Sequence, residues 1–269
     1  MILRDAVVVL TGAGSGIGRA LALALAARGC HLALADINAE GLNETVRMVE
    51  AGPGRVSMHL LDVANRVAVA SLPDEVMRFH GQVNLLINNA GVALGGTFEQ
   101  VSEADFDWLM RINFDSVVCM TRAFLPLLHQ VSEARIVNIS SLFGLIAPPG
   151  QAAYCASKFA VRGFSNALRH ELQDTHIGVT VVHPGGVNTS IAKSAKGPAG
   201  ADPEEEERNR KAVQKMLRLP PERAAEIIID GIERNRGRVL VGSDAKLLSV
   251  IERLMPVNYW KLLGRLLKK

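Results

Sequence analysis

The chain has 269 residues, 48% of them hydrophobic and 21% charged, an ordinary globular balance with enough apolar material for one large α/β domain or two small ones. Its net charge of +3 is small and spread along the chain apart from a basic C-terminal tail, so it does not suggest a nucleic-acid binder. Cys30, Cys119 and Cys155 are odd in number and lie at no metal-ligand spacing, which points to free thiols, no metal site and a reducing compartment. No signal peptide precedes the apolar run Ala6–Leu10, and no apolar stretch approaches the roughly 18 residues of a spanning helix. A cytoplasmic protein is expected.

In chain order, short apolar runs at Ala6–Leu10, Leu32–Ala35, Val56–Leu60, Val83–Ile87, Arg135–Ile139, Val179–Val182 and Val239–Val241 read as strands. Between most of them lie segments of helical period, such as Ile17–Arg28, Leu42–Glu50, Val67–His80 and Ala152–Gln173. Strands this short and apolar suit a parallel sheet buried on both faces. Repeated βα units predict an α/β single-domain Rossmann-type doubly wound parallel sheet of about seven strands, with helices on both faces and ligands at the carboxyl ends of the strands. No repeat or Pro/Gly-rich linker divides the chain.

One stretch breaks the rhythm. Between Pro184 and Pro220 no strand is predicted, and the small residues Gly197 and Gly200 precede the acidic run Glu204–Glu207. An excursion of this length reads as a substrate lid over about 188–217. Its carboxylates suit the solvated first turn of a helix. The tail at about 257–269 is basic and amphipathic. Packing on its own domain or on a neighbouring subunit is expected ahead of peripheral contact with an anionic membrane.

The first strand ends in Thr11-Gly12-Ala13-Gly14-Ser15-Gly16-Ile17-Gly18, and a helix follows. Glycines at this place allow a tight turn and close approach of a pyrophosphate to a helix N-terminus. The spacing matches neither the common G-x-G-x-x-G nor a P-loop, because no Gly-Lys-Ser/Thr follows. The second strand leads into Asp36, whose carboxylate can accept both ribose hydroxyls of an adenosine and repel a 2′-phosphate. No Arg or Lys stands at Ser15, Ile37 or Asn38 to offset that charge, so NAD is favoured over NADP.

Tyr154 and Lys158 stand four apart in a segment of helical period, so they share one face. The chain has only two tyrosines. This one follows Pro148-Pro149-Gly150, and Ser140-Ser141 sits thirteen residues upstream, just past the fifth strand. A phenol, with a pKa near 10, is a poor base at neutrality. A nearby ammonium and an oxidised nicotinamide both favour its ionised form. A hydroxyl such as that of Ser141 can hold an oxygen on which charge develops.

With these motifs assembled, the sequence resembles the short-chain dehydrogenase/reductase family over essentially its whole length. Thr11, Gly12, Gly16 and Gly18 match the family's T-G-x-x-x-G-x-G, Asp62 its acidic adenine contact, and Asn88-Asn89-Ala90-Gly91 its N-N-A-G. Asn113, Ser141, Tyr154 and Lys158 match the active-site set, and Pro184-Gly185 with Thr189 matches the loop over the nicotinamide. The resemblance implies hydride transfer between NAD(H) and an alcohol or ketone. Tyr154 would be general acid/base and Ser141 would polarise the carbonyl. Lys158 would hold the nicotinamide ribose and lower the Tyr154 pKa, and Asn113 would hold a relay water. It implies cofactor contacts from Gly12, Ser15, Gly16, Ile17, Gly18, Asp36, Ile37, Asp62, Val63, Asn89, Ala90, Gly91, Tyr154, Lys158, Pro184, Gly185, Val187 and Thr189. It also implies a homodimer or homotetramer paired through helices around Asn113–Leu128 and Ala152–Leu172.

Phe143, Gln151, Gly186, Ile191 and Met216 are candidate pocket residues beside Ser141 and Tyr154, and their apolar character suggests a hydrophobic secondary alcohol or ketone. His183 and Cys155 are expected to be structural. The other readings are an NADP-dependent carbonyl reductase of the same family, a same-fold dehydratase or epimerase, and an idle NAD-binding sensor. Intact Ser, Tyr and Lys argue against the idle form.

Overall fold

The computed structural model describes residues 1–189, 191, 194–198, 207–208, 211, 214–215 and 217–267, and side chains up to 264. Gly200, Glu204–Glu206 and Met216 lie outside the described residues, so the lid is described only at its two ends and in part.

Seven strands form one parallel sheet in the order β3-β2-β1-β4-β5-β6-β7. They are β1 (Val7–Thr11), β2 (His31–Asp36), β3 (Val56–Leu60), β4 (Leu85–Asn88), β5 (Ala134–Ile139), β6 (Ile177–Pro184) and β7 (Arg238–Val241). The strand order reverses between β1 and β4, and the crevice at such a switch point is where a dinucleotide binds.

Alternation along β1 divides the core. Val8 and Leu10 enter a cluster under α1 (Gly16–Ala27), α2 (Ala39–Val49) and α7 (Pro221–Glu233). Val9 enters a second cluster under α3 (Arg66–His80), α5 (Ser116–Leu128) and α6 (Ala152–Glu171). Burial on both faces holds for β1, β4 and β5, whose residues are all buried. It fails for β3, where Met58 and Leu60 are exposed, because a rim strand has helical cover on one side only.

Local chemistry explains the helix ends. The Asn65 side chain accepts from the Val67 and Ala68 amides to start α3, and Gly81 at φ 81° closes it. Between α4 (Glu103–Met110) and α5 the helix widens into a π turn at Arg111–Asp115, which carries Asn113. Such widenings cluster at functional sites.

The C-terminal tail packs on its own domain. After α8 (Ser243–Leu254) comes α9 (Tyr259–Leu267), where Leu263 is buried and Tyr259 and Trp260 pack beside it against Leu142, Leu145 and Ile146. The Tyr259 hydroxyl accepts from the Ala147 amide at 2.7 Å. The stretch following Ser141 is therefore braced by residues more than a hundred positions away.

Candidate active site

The glycine loop is held by the strand beside it. Thr11 Oγ1 accepts from the Asn89 and Ala90 amides at 3.0 and 3.1 Å, and Asn89 Nδ2 donates to the Thr11 and Gly12 carbonyls. Two glycines are required here. A Cβ at Gly12 (φ +67°) would lie 2.8 Å from Ala90 Cα, and one at Gly18 only 1.9 Å from the Gly12 carbonyl oxygen. Their absence lets the loop press against β4 and leaves a backbone cradle at the N-terminus of α1.

Asp36, at the end of β2, accepts from the Gly14 amide through Oδ2 and from the Asn38 amide through Oδ1, both at 2.8 Å. A carboxylate has about four acceptor positions, so two remain for ribose hydroxyls. The sequence reading overlooked a nearby cation, Arg19. Its guanidinium donates to the Gly14 carbonyl at 2.6 Å and pairs with Glu44 at 2.7 Å, so its charge is already matched. The cradle and its acidic neighbour fit an adenine dinucleotide.

Four predicted catalytic side chains converge across the switch point. Gly91 faces both Asn113 and Lys158, because a Cβ there would lie 3.2 Å from Asn113 Oδ1 and 3.4 Å from Lys158 Nζ. The Lys158 ammonium is buried, donates to the Ile139 carbonyl at 3.2 Å, and stands 5.6 Å from the Tyr154 ring centre. Tyr154 is half-buried and meets Phe143 edge to face, with ring centres 6.1 Å apart.

Loss of water sets the charge states. It pushes the Tyr154 phenol up to about 12, against the pull of its hydrogen bond with Ser141, and pushes Lys158 down to about 8. Before a positive cofactor arrives, the phenol holds its proton firmly.

The short chain dehydrogenase profile matches residues 6–198. The chain is also 44% identical, over 261 residues, to a Mycobacterium tuberculosis protein described as an oxidoreductase, SadH, covering 96% of this chain and 94% of that one. The chain belongs to the short chain dehydrogenase family.

Two further family members bear on the site. A Burkholderia phymatum short chain dehydrogenase/reductase, solved in complex with NAD, superposes with a TM-score of 0.86 at 30% identity and 94% coverage of both chains. A Bacteroides thetaiotaomicron 3-ketodihydrosphingosine reductase is 36% identical over 189 residues, 70% of this chain and 66% of that one.

Several candidate residues of this short chain dehydrogenase are also engaged by the surrounding structure. The Asn113 amide ties the loop after β4 to α6: Oδ1 accepts from the Val92 amide at 2.8 Å, and Nδ2 donates to the Val92 carbonyl and to Ser157 Oγ. Its side chain locks the loop after β4 and keeps one Oδ1 acceptor position in hand. Val63 and Val187 are buried in the core, leaving only their backbone for a cofactor. Gly186 has its amide on Asp244 and its carbonyl on the Arg218 and Leu219 amides, so it meets a substrate only through its Cα.

Ser15 caps α1, and a Cβ at Gly16 would lie 3.2 Å from Thr189, which puts that threonine over the cradle. Ile37 is exposed beside Asp36, and Asp62 Oδ1 accepts from the Ala64 amide. Gln151 reaches toward Gly95, and Ile191 is half-buried. Buried His183 donates from Nδ1 to the Ser141 carbonyl at 2.9 Å, a structural role. Cys155 is buried too, its Sγ toward the Ile146 carbonyl.

Asp244 was missed. Its Oδ2 accepts from the Gly186 amide at 2.6 Å, and a Cβ at Gly185 would strike it at 2.2 Å. A carboxylate in the first turn of α8 thus props the Pro184-Gly185-Gly186 loop. The sequence signal was a Ser-Asp pair just after the last strand, a pattern that also fits an ordinary helix start.

Proposed function

We propose that the protein is an NAD-dependent alcohol dehydrogenase/ketone reductase acting on a hydrophobic secondary alcohol or ketone. The observation that carries this reading is the convergence of Ser141, Tyr154 and Lys158 at the switch point. Gly91 borders Lys158, and Asp36 would stand at the adenosine end. NAD(H), when bound, supplies the carbon that takes or gives hydride.

The chain's own residues supply everything else. Ser141 holds the substrate oxygen and steadies charge developing there. The Tyr154 hydroxyl donates its proton to that oxygen in reduction and recovers it in oxidation. The buried Lys158 ammonium makes the departing proton's site less costly to leave negative. With the phenol protonated well past neutrality, the site as built is ready for reduction near pH 7, while oxidation gains as pH rises. Loop 188–217 acts as the lid, its ends joined through Val187 and Leu219.

The ketone reading draws support from Phe143 against Tyr154, and from a relative named for reducing 3-ketodihydrosphingosine. NAD preference rests on Asp36 and on the already paired Arg19. The test is a panel of aliphatic and cyclic secondary alcohols, followed by NADH formation, with both cofactors titrated calorimetrically. NAD should bind at least tenfold tighter than NADP, about 1.4 kcal/mol, and Asp36→Ala should narrow the gap. Equal or tighter NADP binding by the parent protein overturns the cofactor assignment.

A further inference from the structure

The chain's charge is not evenly spread. Residues 243–269 hold six of the thirty Lys and Arg but only two of the twenty-seven Asp and Glu, giving a net +4 against −1 for residues 1–242. One of those two acids, Asp244, is turned inward onto Gly186.

The same segment carries much of the protein's exposed apolar surface. Lys246, Leu247, Val250, Arg253 and Leu254 line the outer face of α8, a spacing that puts them on one stripe. Leu247 is 61% exposed, Val250 55% and Leu254 75%. The turn adds Met255 and Val257, the latter 84% exposed, and α9 adds Leu262 and Lys261. The inner side of the segment is already satisfied by Ala245, Leu248, Ile251, Tyr259 and Leu263. Among the described residues, nothing covers this outer face, which interleaves large aliphatics with cations.

We infer that this face docks on an anionic lipid bilayer, with Leu247, Val250, Leu254 and Val257 entering the headgroup boundary and Lys246, Arg253 and Lys261 meeting lipid phosphates. Charge complementarity selects this occupant over a second copy of the chain. An isologous pairing would set Lys246, Arg253 and Lys261 against the same cations of the second copy, whereas an anionic leaflet attracts each of them. No helix among the described residues is long and apolar enough to cross a membrane, so contact would be interfacial. Because α9 braces the stretch behind Ser141, docking would place the catalytic cleft at the bilayer, where a hydrophobic alcohol or ketone resides. That last consequence rests on the proposed substrate class, but docking itself does not.

The experiment is flotation of the full-length protein with vesicles of phosphatidylcholine alone or with 30% phosphatidylglycerol, without substrate or cofactor. Binding should be at least tenfold stronger to the anionic vesicles and should fall with salt, on the order of the few cations engaged. Lys246→Gln with Arg253→Gln should weaken it by roughly 30-fold, and Leu254→Asp with Val257→Asp should abolish it at unchanged thermal stability. Equal binding to both vesicle types, or binding indifferent to these exposed substitutions, overturns the inference. So does sedimentation showing a lipid-free oligomer that Leu254→Asp dissociates, since a second copy would then own the face. Redox activity is not read in any arm, so failure here and failure of the proposed reaction remain separate.

Discussion

The two halves of the site are built by different means. On the β1–β4 side, the cradle is backbone: glycines without room for a Cβ, clasped by Thr11 and Asn89 across two adjacent strands. On the β5–β7 side, the working groups are side chains on α6 and the stretch after β5. Their positions depend on distant props: Asp244 under Gly186, His183 under Ser141 and Tyr259 under Ala147. A backbone cradle tolerates little substitution but needs little support. A side-chain site can change its pocket freely, yet it inherits every weakness of its props.

The largest effect expected is in the second half. Tyr154→Phe keeps the ring against Phe143 but removes the proton, so turnover should drop about a hundred- to ten-thousandfold while calorimetric NAD affinity stays within twofold. Lys158→Ala should lower rate and affinity together, and its residual oxidation should climb more steeply with pH. Near-parental turnover by Tyr154→Phe would sink the assignment of the proton.

Acid stability should tell which half yields first. His80, hydrogen-bonded to Ser57 near the β3 rim, and His183, beneath Ser141, are both held down to about 4 by burial from an ordinary 6.5. In that window the unfolded chain binds more protons than the folded one. The neutral histidines therefore contribute their full stability above pH 6.5, and it is lost as pH falls from 6.5 toward 4. Each shift corresponds to about 3 kcal/mol. Urea midpoints at pH 7 and 4.5 for the parent, His80→Gln and His183→Gln measure the share of each, and a parent curve flat across the window contradicts the burial argument.

The props should matter less than the groups they hold. Asp244→Ala removes a charged acceptor from the Gly186 amide and should cost about 1.5–3 kcal/mol, divided between stability and NAD affinity. Asp244→Asn keeps an acceptor and should recover most of it. If the two variants behave alike, the bond to Gly186 is not what positions the loop. Smallest of all, Tyr259→Phe deletes one hydrogen bond to Ala147 and should lower stability by about 1 kcal/mol, with a modest rise in KM and kcat nearly unchanged. A large kcat loss would mean that α9 does more than brace.

The cradle half was readable from sequence because its requirements are local. Gly12 through Gly18, Asp36 and Asn89–Gly91 each occupy a fixed place relative to a strand end, and the strand pattern itself is a burial pattern. Tyr154, Lys158 and Ser141 were readable for the same reason. The props were not, since Asp244, His183 and Tyr259 act on partners 42 to 112 positions away. Nothing in their immediate sequence names those partners. The bonds of the Asn113 amide to Val92 and Ser157 were not legible either, since they form only when the π turn meets the loop after β4 and α6.

The clasp between Thr11 and Asn89 also has a consequence for synthesis. A ribosome delivers about 5–20 residues per second, N-terminus first. The partners of the dinucleotide cradle are both present once Gly91 has emerged, whereas Tyr259 appears many seconds later. A growing chain can therefore clasp the glycine-loop side of its nucleotide pocket while the stretch behind Ser141 still lacks the helix that steadies it. The glycine cradle should order first, and full cofactor affinity and turnover should follow only when Lys158 and the stretch behind Ser141 are in place.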